Sequence, residues 1–209
     1  MESVTPEREP ITHRLDFGDD WYRIRLNEKA ASDVKAFLDV MFGGIPAEEA
    51  EKVRTLLAVQ FAGQIAAARA KRGIELLVPA PKPGGVALPG AAVLIAEVVI
   101  PTPVVPDPVE VAARVVRGAD GARMGVIAGS VAVRIDHSVA DVEETEDAGV
   151  NDELAPPARQ RIEYVIAVPN DPRWLSIDLS VQAVDGFGTE QIIAEFDQGV
   201  RRLSWSASD

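Results

Sequence analysis

The apolar positions of this chain fall into two kinds of pattern, and their clearest meeting point lies near its end. Leu175, Ile177, Leu179, Val181 and Ala183 alternate with Ser176, Asp178, Ser180 and Gln182, the period of two of a half-buried strand. A glycine turn follows. Ile193, Phe196, Val200 and Leu203 then recur at helical spacing, with Thr189 as the expected N-cap. An apolar strand face and an apolar helix stripe so close in sequence are expected to cover one another. Upstream, Ile162, Tyr164, Ile166 and Val168 mark another strand, and Pro169-Asn170-Asp171-Pro172 turns it into the first as a hairpin. Gly125–His137 reads as one long strand, with Ile127, Val131, Val133 and Ile135 on the face of His137.

Helical spacing dominates the first third. Asn27 is placed to cap a helix over 28–42, with the stripe Val34, Phe37, Leu38 and Met41 and an end at Gly43-Gly44. Pro46 suits the first turn of a second helix, with Glu48 and Glu49 near its positive end. Val53, Leu57, Phe61, Ile65 and Ala68 form its stripe, Arg69, Lys71 and Arg72 lie at its negative end, and Gly73 closes it. The short connection predicts an antiparallel helix pair. Thr12–Phe17 and Trp21–Leu26 read as a hairpin about Gly18-Asp19-Asp20. Ile74–Val78 and Ala91–Ile100 read as strands, and Asp107-Pro108-Val109-Glu110 as the start of a short helix. The sum is an α+β domain: an antiparallel β-sheet of about six or seven strands packed with helices. Residues 1–10 are expected to be a flexible tail, residues 11–209 a single domain, and 138–158 a mobile acidic loop within it.

Composition sharpens what this domain can do. The chain has no cysteine, which excludes disulfides, thiolate metal sites and a cysteine nucleophile. The first residues carry no basic stretch followed by an apolar core, and the longest apolar runs end at Glu97 and Pro101, so a cytoplasmic protein with no membrane contact is expected. A net charge of −12 repels nucleic-acid backbones and anionic membranes. Asp141, Glu143, Glu144, Glu146, Asp147, Asp152 and Glu153 stand together without a base between them. They read either as a solubilising segment or as an electrostatic handle for a basic protein partner.

Catalytic patterns do not hold together. Asp136-His137-Ser138 has the residue types of a proton relay, but alternation along a strand points His137 away from its neighbours. Ser130 is expected within a strand, not at a nucleophile's strand-to-helix turn. Gly186-Phe187-Gly188-Thr189-Glu190-Gln191 imitates a dinucleotide fingerprint, but Gln191 stands where glycine or alanine is needed and no strand is expected after the helix. His13 and His137 are far apart and the acids lack a calcium loop's glycine, so neither a metal nor a cofactor is expected. Trp21, Trp174 and Trp205 are scattered without interleaved bases and are expected to serve packing.

Two N-terminal strands, helices, an antiparallel sheet and a closing strand–helix, Leu175–Val181 followed by Phe196, Leu203 and Trp205, resemble the small actinobacterial proteins with the fold shared by Mog1 and PsbP. That resemblance implies binding and accessory roles in place of one reaction. The expectation is a non-catalytic binding or accessory protein acting through protein–protein interaction. Two alternatives stand beside it: a structural or assembly subunit whose strand edges or helix pair self-associate into a homo-oligomer, and an enzyme with a carboxylate-based site.

Overall fold

The computed structural model describes residues 12–81, 90–99, 107–137, 159–182 and 188–206, and these form an α+β arrangement. In chain order they are β1 (His13–Arg14), β2 (Trp21–Arg25), α1 (Ala30–Met41), α2 (Ala47–Ala70), β3 (Gly73–Pro79) and β4 (Ala91–Val99). There follow α3 (Pro108–Gly118), β5 (Arg123–Ile127), β6 (Ser130–Asp136), β7 (Arg159–Ala167), β8 (Arg173–Gln182), α4 (Thr189–Val200) and β9 (Ser204–Trp205). Seven strands make one sheet in the order β2-β3-β4-β8-β7-β6-β5, every pairing antiparallel. β1 and β9 pair apart from it.

Both faces of the sheet are covered, beyond the half-buried strand that the alternation at Leu175–Val181 predicts: Trp174 and Ser176, on the second face, are buried too. On one, α4 lies on β8, and Phe196, Val200 and Leu203 join Val93, Ile95, Ile162, Ile166, Leu175, Ile177 and Leu179 in the largest core. The expected covering of strand by helix is thus observed. On the other face two separate cores form. Ile24, Leu26, Leu76 and Val78 pack under α1 and α2 against Phe37, Leu38, Phe61 and Ile65. Val133, Ile135, Ala167 and Trp174 pack under α3 around Ala112.

The helix pair is antiparallel by its contacts. Arg54 near the start of α2 meets Asp39 near the end of α1, and Arg69 in the last turn of α2 donates to the Leu26 and Asn27 carbonyls before α1 begins. The Asp107 side chain accepts from the Val109 amide with Pro108 in the first turn, as the sequence predicts for α3.

Several local expectations are corrected. Thr12–Phe17 and Trp21–Leu26 are not a hairpin: β1 pairs with β9, and β2 pairs with β3. Leu15 and Phe17 turn into the core around Phe196, which draws the segment away from the sheet edge. Gly125–His137 is not one strand but a hairpin, because Ala128 and Gly129 both take positive φ, 50° and 76°, the two-residue turn that matches strand twist. Ser130 therefore begins β6, where its hydroxyl accepts from Trp205 Nε1 at 3.1 Å. α1 starts at Ala30, and Asn27 instead holds the preceding turn by accepting from the Lys29 amide. Thr189 is the first residue of α4, after an N-cap at Gly188. A strand does follow that helix, the two-residue β9. At the end of α2 the left-handed residue is Arg72, φ 60°, not Gly73. Gly73 is needed for room: a Cβ there would stand 2.7 Å from both the Ala68 carbonyl oxygen and Leu26 Cδ1.

Candidate functional site

One row of residues across the sheet places the first candidate. Cross-strand partners link Ile24 to Leu76, Leu76 to Leu94, Leu94 to Asp178, Asp178 to Glu163 and Glu163 to Ile135. The apolar members at one end belong to the core under α1 and α2, and Ile135 to the core under α3. Asp178 and Glu163 fall between these two helix layers, so the sheet keeps a polar floor there.

Glu163 is the hub of that floor. Its Oε2 lies 2.9 Å from His137 Nε2 and accepts from Arg161 Nη2 at 3.5 Å, while Oε1 accepts from the buried Ser176 hydroxyl at 2.9 Å. Arg161 Nε donates to both Asp178 oxygens, at 2.9 and 3.0 Å, and this pairing raises its pKa against the opposing effect of burial. Each acid is thus matched by a base, and the Ser176 proton is directed at a carboxylate that also holds His137. The arrangement fixes register between β7 and β8 and joins β6 to them. It is a cross-strand polar network, and the nucleophile–base–orienter chain of a relay is not what it forms. His137 indeed points away from Asp136, which lies 3.8 Å from Arg134 Nη1.

The opposite face carries a second network. Asp197 on α4 accepts from Arg134 Nε and Nη2 at 3.2 and 3.3 Å and from the Tyr164 hydroxyl at 3.0 Å. Burial, and then the Asp197 charge, push the Tyr164 pKa up to about 12. This network clamps α4 to β6 and β7.

The second candidate is a surface. Of nine large hydrophobic side chains exposed among the described residues, five lie on the helix pair and its connection: Val40, Ile45, Val53, Leu56 and Val59. Val53 was expected inside and is instead half exposed, because Arg54, paired with Asp39, takes the inward side of that turn. Beside them an open groove of about 560 Å³ runs between the helices, walled by Val34, Leu38, Ala58 and Val59 and edged by Lys35 and Arg54. Asp39 receives both Lys35 and Arg54, and these partners hold its carboxyl below the ordinary range.

The seven acids from Asp141 to Glu153 and the first residues of the chain lie outside the described residues, as do Gly186 and Phe187 of the glycine turn. Trp174 is a core residue, and Trp21 and Trp205 pack at the rim of the main core. Among the described residues no group of three or more His, Asp or Glu side chains is arranged to hold a metal ion. No described helix is long and apolar enough to cross a membrane. The Glu163 network was readable only with the β7–β8 register, which the turn at Pro169–Pro172 implies but single-strand alternation does not. The exposed valines and leucine of α2 carried a signal of their own, since its apolar residues exceed one stripe. Comparison with protein-family models, with curated proteins and with solved structures finds no match.

Proposed function

We propose that this is a non-catalytic binding protein that acts through protein–protein contact, with α1 and α2 as its contact layer. The observation that carries this reading is that exposed Val40, Ile45, Val53, Leu56 and Val59 all lie on one helix pair and its connection, where Val59 also walls an open groove. Apolar surface gathered in this way is characteristic of interaction sites, whereas single exposed apolar residues are not. The groove walls bear a single carboxylate, Glu51, so they hold no pair of carboxylates. The closing strand and helix resemble the Mog1/PsbP fold, which hosts binding and accessory roles in place of one reaction, so the fold alone assigns no function here. The acids from Asp141 to Glu153 would add long-range attraction for a basic partner.

A photoreactive residue at position 59 of the full chain tests this. The expected result, in an extract of its own cells, is a discrete adduct that mass spectrometry identifies. It should re-form from purified components and be lost with Leu56→Glu. No adduct with any protein, this chain included, would overturn the reading.

A further inference from the structure

The outer side of α2 carries a second seam, opposite the core stripe of Phe61, Ile65 and Ala68. Leu56, Val59, Gly63, Ala66 and Ala70 follow one another at three, four, three and four residues, all exposed. Leu56 and Val59 are 58 % and 65 % exposed. Over Thr55–Ala68 the helix has no charged residue, although the chain carries −12. Gly63 stands mid-helix where glycine is unfavourable, yet a Cβ there would meet nothing within 4 Å in this chain. Internal packing therefore gives no reason for a glycine; close approach of an outside backbone does.

Resting on the contact-layer reading above, we propose that a second copy of this chain occupies the seam, with α2 packed antiparallel against its symmetry mate. A basic partner would find no acids along the seam to complement it. Two like-charged copies meet best where neither carries charge. The helix start is mixed in charge, with Glu48, Glu49 and Glu51 beside Lys52 and Arg54, and its end is basic, with Arg69, Lys71 and Arg72. A twofold axis at the level of residue 61 sets Leu56 opposite the second copy's Ala66, Val59 opposite its Gly63, and Lys52 opposite its Ala70. Each large side chain then faces a small one. A 24-residue helix is about 36 Å long, which gives the seam room to extend along the second copy.

The chain has no cysteine, so engineered thiols give a clean test. Sedimentation equilibrium of the full chain should give twice 22.4 kDa. Val59→Glu should give a folded monomer, and Gly63→Leu should weaken association by about tenfold or more with unchanged circular dichroism. Mixed Val59→Cys and Gly63→Cys chains should form disulfides faster than either variant alone. A wild-type monomer, a dimer that survives Val59→Glu, or faster self-linking of either single-cysteine variant would overturn the proposal. A monomer whose position 59 crosslinks to a different protein would overturn it while leaving the contact-layer reading intact.

Discussion

The ring of Phe17 lies over Gly199 so closely that a Cβ added there would stand 3.1 Å from its Cγ and nearer still to Cδ1 and Cε1. Phe17 in turn stacks on Phe196, with centroids 5.9 Å apart and planes 5° apart. The N-terminal segment is thereby keyed to α4 through a missing methyl group. Gly199→Ala gains about 1 kcal/mol of helix propensity, but overpacking costs about 1–3 kcal/mol. A net loss of stability is expected in denaturant titration. Adding Phe17→Leu should return part of it, because the obstructing ring is gone.

Phe61 and Ile177 anchor different cores, one under the helix pair and one under α4. Truncation of either to Ala should cost about 2–5 kcal/mol. Ile177, fully buried in the central strand, is expected to cost more than Phe61. Unchanged denaturation midpoints in both variants would contradict the packing described.

Asp33 accepts from the Arg25 amide, Nε and Nη2 at 3.0, 2.9 and 2.6 Å, and these bonds hold its carboxyl below the ordinary 3.8. A depressed folded pKa means stability that is fully present above the unfolded value and lost as pH falls through the folded one. Asp33→Asn should therefore be less stable than the parent at neutral pH, and the gap should close below about pH 4. Urea midpoints at several pH values measure it; a gap that is constant with pH would contradict the pair's role.

Tyr164 runs the other way. Its raised folded pKa, about 12 against 10.0, gives stability present below pH 10 and lost as pH rises through the folded value. In ultraviolet titration, the ionisation lost in Tyr164→Phe should be the one near pH 12. Its loss from nearer pH 10 would contradict the burial of Tyr164 beside Asp197.

Glu163→Ala strands the buried Ser176 hydroxyl and leaves His137 without its carboxylate. The expected cost is about 1–3 kcal/mol. Self-association and any partner binding should be unchanged, since the network lies apart from the outer face of α2.

Much of the fold is legible in the sequence alone. The alternation at Leu175–Val181, the stripe through Phe196 and Val200, and the Asp107-Pro108 helix start each depend on neighbours a few residues away, and each is observed. The errors share a cause in longer-range contacts. Nothing near Thr12–Phe17 reveals that Ser204–Trp205 would take its β partner or that Phe17 would seek Phe196. Ala128 in a left-handed turn defeats a rule that waits for Asn-Gly or Gly-Gly. The polar floor is a property of three strands in register, and one-strand alternation reports only that Asp178 and Glu163 are not core.

The strand order also sets a schedule for synthesis. β2, α1, α2 and β3 are contiguous, and every buried member of their core lies between Ile24 and Val78. That unit can be assembled as soon as it has emerged. β4 is different, because its second neighbour is β8, some eighty residues later, with Val99 paired to Arg173 and Ala91 to Val181. Until then the strand that carries Val93 and Ile95 has an open, apolar edge. Between translation of β4 and of β8 that edge stays unpaired on the nascent chain, open to wrong pairing.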